Sequence, residues 1–404
     1  MSGMAWTSFC QLRQLVLRAI YICAGIAFFL MLWTDNDSGL LLSGSPATTQ
    51  ELPPQQLVQF GAYEGTTCKE KRHVMFLKIE KTGGGTLEGI LVRFGLKRNL
   101  SFAIPIKSLG NNNHFPRSPL LPEMIAPIKS RPNTKYDILF RHSVYNRSTI
   151  QLCFPNDTVT ITLVRHPFAR FLSSFEFFNN SYSVKLPWHL RRSSDKRLRV
   201  TTFLEIYYKA FKREHPRARG NWYLNFASLR FGIPWEHTHD KKFVQRHLDD
   251  ILPDFKVVLL NEYYDASLVL LKRRLCWNTE DIVYISLHVK AGYTKHQGLH
   301  SPEVLRQHQE LAPEEYVIYD RLSKQFWTQI NDEGKDFWFE VEQFKSILSL
   351  FQTFCLEDVG KRKTLTIEAS RWHGNIHFGL EDCQMVTTDL EKFVSATRMK
   401  YLRS

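Results

Sequence analysis

The sequence contains no C-x-x-C pair and no His/Cys cluster at metal-ligand spacing. A structural zinc site and a thioredoxin-like redox centre are therefore excluded as readings of its cysteines. It has no G-x-x-x-x-G-K, which argues against an ordinary nucleotide kinase. It has no internal repeat and no low-complexity block, so solenoids and disordered tracts are set aside. Seven cysteines in 404 residues are too few for a disulfide-dense miniprotein. Only one segment is long and apolar enough to cross a bilayer, which rules out a multi-span membrane protein. Positive charge is in excess: 53 Lys and Arg face 40 Asp and Glu, a formal net charge of +13. A basic surface favours an anionic partner, whether nucleic acid, phospholipid headgroups, or a phosphate- or sulfate-bearing ligand. The 15 histidines add to that balance at mildly acidic pH.

The apolar segment runs from Ala19 to Trp33, and reaches back to Leu15 if Arg18 is allowed to snorkel. Arg13 and Arg18 precede it, while Asp35 and Asp37 follow. That asymmetry leaves the N-terminus cytoplasmic and the body lumenal. No small-x-small site follows the run, so a retained signal anchor is preferred to a cleaved signal peptide. The expected organisation is a cytoplasmic tail (1–14), a transmembrane anchor (15–33), a flexible polar stem (34–67) and one folded body (68–404). Five N-x-Ser/Thr sequons, at Asn36, Asn99, Asn146, Asn156 and Asn179, agree with a lumenal body. So do Cys68, Cys153, Cys276, Cys355 and Cys383, in a compartment that permits disulfides. Their odd count leaves one thiol over, or paired to a second copy in a homodimer.

Within the body, short apolar runs alternate with helical patterns. Strands are expected at 73–78, 137–140, 159–164 and 257–260. Helical spacing follows the first at Leu87, Ile90, Leu91 and Phe94, the third at Phe171, Leu172, Phe175 and Phe178, and the fourth over Ala266 to Leu275. This alternation implies an α/β fold with a central parallel sheet flanked by helices. Later, Ser301-Pro302 and Ala312-Pro313 open two helices, the second with Tyr316, Tyr319, Phe326 and Ile330 on its inner face.

Chemistry concentrates at two strand ends. After the first strand comes Lys78, Ile79, Glu80, Lys81, Thr82, Gly83, Gly84, Gly85 and Thr86, then a helix. Strand, glycine-rich loop and helix N-terminus form a phosphate cradle with lysines to neutralise the anion. A plain tight turn is the bland alternative. After the third strand, Arg165 offers a planar fork for a phosphate, and Ser173 adds a hydroxyl eight residues on. A strand-capping Arg in a surface ion pair is the bland alternative there.

Together the two segments resemble the paired donor-binding signatures of sulfotransferases that use 3′-phosphoadenosine 5′-phosphosulfate (PAPS). The stretch "FLKIEKTGGGTLEGILVRFG" is similar to the opening of the galactose 3-O-sulfotransferases, which include galactosylceramide sulfotransferase. So, in family order, are "NLSFAIP", "FPNDTVTITLVRHPFARFLSSFEFF", "NEYYDASLVLLKRRLCW" and "LAPEEYVIYDRLSKQFW", covering roughly Arg72 to Phe354. The resemblance implies a P-loop-like fold and PAPS as donor. The 5′-phosphosulfate would lie on Lys78, Lys81, Thr82, Gly83, Gly84, Gly85 and Thr86, and the 3′-phosphate on Arg165 and Ser173. It further implies a single-pass type II protein of the Golgi membrane and, as acceptor, a galactose-terminated glycolipid or glycan. One departure stands out: the family has His immediately before the second Lys of the loop, and here that residue is Glu80.

Sulfuryl transfer is an in-line displacement that needs a base for the acceptor hydroxyl, a cation at the leaving oxygen and donors around the sulfuryl oxygens. It requires no metal, and none is signalled. Lys81 is the first candidate for the cation and Lys78 the second. His142, just after the second strand, is the candidate base, with Glu80 as runner-up; Arg141 is a candidate contact for the donor or an acidic acceptor. The basic run Lys185 to Arg199 is either a lid or a solvated loop, and His288 to Lys290 is a weaker cofactor candidate. Two alternatives remain open: transfer to another sugar, such as a glycosaminoglycan uronic acid, or a non-catalytic carbohydrate-binding relative. The positive excess thus points to a multiply charged nucleotide donor rather than to nucleic acid.

Overall fold

The computed structural model describes residues 68–107, 114–132, 134–178, 195–213, 224–285, 301–357 and 363–403, all within the unit Phe60–Ser404. The expected anchor and stem, the sequons at Asn36 and Asn179, most of the basic run from Lys185 and the His288 to Lys290 segment lie outside the described residues. Among the described residues no helix is long and apolar enough to cross a membrane.

Five strands form one parallel sheet: β1 (Val74–Leu77), β2 (Phe102–Ala103), β3 (Ile138–Leu139), β4 (Val159–Val164) and β5 (Phe255–Leu260). Their order is β2-β3-β1-β4-β5. Every residue of β1 is fully buried, as a central strand covered on both faces must be. That explains the unbroken apolar runs: a parallel strand has no solvent face to alternate with. The β4 limits coincide with the sequence pattern, whereas β3 is a two-residue core of the expected run.

Helix α1 (Gly84–Lys97) follows β1, α2 (Pro167–Phe178) follows β4, and the short α3 (Phe226–Arg230) lies before β5. After β5 come α4 (Tyr264–Leu275), α5 (Pro302–Leu311), α6 (Pro313–Asp332) and α7 (Phe337–Leu356). The start of α5 is as read from sequence: Ser301 accepts from the Val304 N–H, and Pro302 occupies the first turn, where its missing N–H costs nothing. The apolar stripe of α6 differs from expectation. Its buried positions are Ile318, Leu322, Phe326 and Ile330, while Tyr316 and Tyr319 are half-buried and border the His166 ring at 5.8 and 5.4 Å. A stripe through Ile318 obeys the i, i+4 spacing, and the two tyrosines sit beside it, where their hydroxyls can find polar partners.

A two-stranded antiparallel sheet, β6 (Thr364–Ile367) with β7 (Ile376–Gly379), lies near the C-terminal end. Disulfides join Cys68 to Cys276 and Cys355 to Cys383, leaving Cys153 as the free thiol. That accounts for the odd count: two pairs and one half-buried thiol at the end of the helix Arg147–Cys153.

Candidate active site

The carboxyl ends of β1, β3 and β4 converge where the strand order reverses, the place where open α/β sheets bind ligands. Beyond Leu77 the chain stays buried through Lys78 and Ile79, then turns. Lys81 (φ 63°) and Gly83 (φ 88°) both take left-handed conformations to bring the chain back into α1. Three side chains pin this loop by its carbonyls. Thr82 Oγ1 donates to Ile79 O (3.1 Å), Asn261 Nδ2 to Thr82 O (3.0 Å) and the Tyr264 hydroxyl to Gly83 O (3.2 Å). A Cβ on Gly83 would sit 2.6 Å from Asn261 Nδ2, so glycine is required there for space as well as for φ.

Helix α1 begins with no side-chain cap and no acidic residue in its first turn. Its leading N–H groups and the positive end of its dipole are therefore open to an anion. A Cβ at Gly85 would meet nothing within 4 Å, so the cradle opens to space at that point. The loop therefore fits a phosphate-bearing donor in both its donor chemistry and its room.

At the end of β4, Arg165 Nη1 donates to Lys81 O at 3.4 Å, so the two segments singled out in sequence are in contact. Ser173 is buried on α2. A shallow opening lies here, bordered by Ile79, Thr82, Arg165, Arg170, Glu315 and Tyr319. The Lys81 ammonium lies 3.9 Å from the centroid of the Phe177 ring, an exposed aromatic near the end of α2.

On the other flank, after β3, His142 Nδ1 lies 3.0 Å from the carbonyl oxygen of Lys78. A carbonyl only accepts, so Nδ1 carries the proton, and the neutral ring keeps its lone pair on Nε2. Burial holds the His142 pKa well below its ordinary 6.5, and the charges of Lys78, Arg230 and His114 push the same way. His114, whose ring lies 5.6 Å from that of His142, is pushed down to about 4, first by burial and then by Arg141.

The charged neighbours are paired. Lys78 bonds to Glu88, whose other oxygen accepts from Arg141 Nη1 at 2.7 Å; Arg141 Nη2 reaches Glu391 at 2.6 Å. Glu80 is engaged by both arms of Arg230, through Nε at 3.1 Å and through Nη2. Glu80 Oε2 also lies 3.8 Å from His142 Nδ1.

Residues 5–374 match the sequence model of the family described as galactose-3-O-sulfotransferase. The chain belongs to that family. It is 30% identical to galactosylceramide sulfotransferase of Homo sapiens over 289 residues, 69% of this chain and 63% of that protein. It is 27% identical to galactose-3-O-sulfotransferase 2 of Mus musculus over 293 residues, 71% of this chain and 70% of that protein. It is 28% identical to galactose-3-O-sulfotransferase 3 of Mus musculus over 272 residues, 65% of this chain and 58% of that protein. The alignment thus spans less than two thirds of the length of the galactosylceramide enzyme.

For a galactose-3-O-sulfotransferase family chain, the geometry orders the residues read from sequence. Thr82 and Arg165 border the opening, Lys81 meets Arg165 through its carbonyl, Gly83, Gly84, Gly85 and Thr86 carry the loop into α1, and Ser173 is on the helix that follows Arg165. His142 and Glu80 sit together on the opposite flank. Lys78 and Arg141 share the Glu88 carboxylate, so both are committed to a buried network. Four residues escaped the sequence reading: Asn261, Tyr264, Glu88 and Arg230. Asn261 and Tyr264 open the stretch "NEYYDASLVLLKRRLCW", so the similarity marked them without showing why. Glu88 lies in the stretch "FLKIEKTGGGTLEGILVRFG" and was marked in the same way, while nothing marked Arg230, whose partner comes from a separate element.

Proposed function

We propose that this chain transfers a sulfuryl group from PAPS to the 3-hydroxyl of a terminal β-galactoside on a glycolipid or glycoprotein, as a single-pass type II protein facing the Golgi lumen. The observation that carries this reading is the placement of an uncapped glycine cradle and Arg165 on one side of β1 and a neutral His142 on the other. The sequence similarity to relatives named for galactose 3-O-sulfation supports the acceptor class.

The bound donor supplies the activated sulfuryl group. The N–H groups at the start of α1 hold its anionic end, with Thr86 at the rim and Thr82 bracing the loop from within through Ile79 O. Arg165 binds the nucleotide's second phosphate with help from Ser173. Lys81, at the mouth of the cradle, neutralises charge at the leaving oxygen. Lys78 serves the loop from within, because its ammonium is tied to Glu88. His142 Nε2 takes the acceptor proton, while Nδ1–H stays on the Lys78 carbonyl and fixes the ring. Glu80 is the poorer base, since its two oxygens already accept from Arg230.

The test is a panel of terminal β-galactosides and glycosaminoglycans incubated with the full chain and radiolabelled PAPS. Label on galactose O3 supports the reading. Label confined to uronic acid, or on no acceptor, overturns it.

A further inference from the structure

Glu80 is an awkward residue to have beside a general base. Its carboxylate oxygen lies 3.8 Å from His142 Nδ1, close enough to hold a proton on the imidazole by simple attraction. A charged imidazole cannot accept the proton of a hydroxyl. Something must mask that carboxylate, and the fold supplies Arg230 from the last residue of α3, 150 residues away in sequence. Arg230 is almost wholly buried, and its fork meets Glu80 at both oxygens. Its backbone carbonyl also accepts from the Tyr145 N–H at 2.9 Å, which ties α3 to the segment carrying His142. The third nitrogen, Nη1, is buried with no hydrogen-bond partner among the described residues. A buried orphan donor costs stability, so Arg230 is not explained as a purely structural choice.

We propose that Arg230, through its ion pair with Glu80, is a positioning residue for His142: it holds a positive charge beside the imidazole and masks the one carboxylate that would otherwise keep a proton there. This rests on the reading of His142 as the base. The groups that face the ring are Lys78 and Glu80 from the loop after β1, Arg230 from α3, and His114 from the segment before β3. Glu80 is the anion among them, and the Arg230 pair offsets it.

The two partners give opposite signs, which a merely structural pair would not. In Arg230→Gln a positive charge leaves and Glu80 is unmasked, so both changes favour imidazolium. The acidic limb of kcat/KM should move up by about one pH unit. In Glu80→Gln the negative charge leaves and Arg230 stays, so the limb should move down. In Glu80→Gln/Arg230→Gln it should return towards the parent. The experiment is the pH profile of kcat/KM for the full chain and these variants, beside NMR titration of the His142 ring. Opposite shifts with recovery in the double variant sustain the proposal. Shifts of one sign, or falling rates with unmoved limbs and an unmoved ring titration, overturn it. If Arg230→Gln does not fold, the sign of the Glu80→Gln shift decides. His142→Gln separates this from the parent reading. If that variant keeps turnover, the base assignment fails, while the ring titration in the Glu80 and Arg230 variants still tests the electrostatic claim.

Discussion

Arg165 Nη1 donates to the carbonyl oxygen of Lys81 across 3.4 Å, joining the end of β4 to the loop after β1. The guanidinium therefore shapes the cradle as well as offering charge to a ligand in it. Arg165→Ala removes both effects. A charge-assisted hydrogen bond contributes about 1.5–3 kcal/mol, so affinity for 3′-phosphoadenosine 5′-phosphate should fall by roughly 10- to 100-fold. Isothermal titration of the full chain measures this, and an unchanged Kd would remove Arg165 from the donor site.

Gly83 and Gly85 should respond differently to alanine. Gly83→Ala forces a Cβ into a left-handed residue and to 2.6 Å from Asn261, so the melting temperature should drop by several degrees. Gly85→Ala meets open space inside α1, so the fold should keep its stability or gain about 0.5–1 kcal/mol. Its methyl group would instead stand in the cradle and weaken nucleotide binding. Thermal unfolding with and without the nucleotide distinguishes the two.

Glu88 bridges Lys78 and Arg141 in the interior, with all three side chains at or below 10% exposure. Glu88→Ala leaves two buried cations without their shared anion, at a cost of about 3–5 kcal/mol. Glu391→Ala, at the half-exposed end of the same network, should cost about 1 kcal/mol or less. Denaturant unfolding of both variants checks the contrast; equal losses would deny the network its buried character.

His142 sets the expected pH dependence. Its pKa is depressed below 6.5, so the ring remains an unprotonated base through mildly acidic pH. As pH falls, activity is lost only when it passes the lowered pKa. The acidic limb of kcat/KM should therefore lie below 6.5. A limb at or above that value would mean that the titrating base is another group or is less buried.

How much of this was readable in the sequence depended on whether the cause was local. The strands β1, β4 and β5 showed as apolar runs because nearly every side chain on both of their faces is buried. The glycine loop and Arg165 showed because strand ends and helix starts are local events. The two-residue β2 was too short to leave a pattern, and the exposed residues of β6 gave no apolar run. Lys78 looked like a free cation because its counter-charge, Glu88, comes from the next helix and serves Arg141 as well. Glu80 looked like a rival base because Arg230, which occupies it, arrives from a segment with no motif of its own. Spacing places Tyr316 and Tyr319 on the inner face of α6, yet both are half-buried with their rings against His166, and the Tyr316 hydroxyl pairs with His308 Nδ1 at 2.8 Å.

The most direct measurement is transfer of radiolabelled sulfate from PAPS to a terminal β-galactoside by the full chain and by His142→Gln, with the sulfate position assigned on the product. The expected result is sulfate on galactose O3 from the parent chain. The variant should bind 3′-phosphoadenosine 5′-phosphate normally yet transfer at least about 100-fold more slowly, the usual scale of a lost general base. Absence of transfer to galactose by the parent, or equal rates for the two proteins, would contradict it.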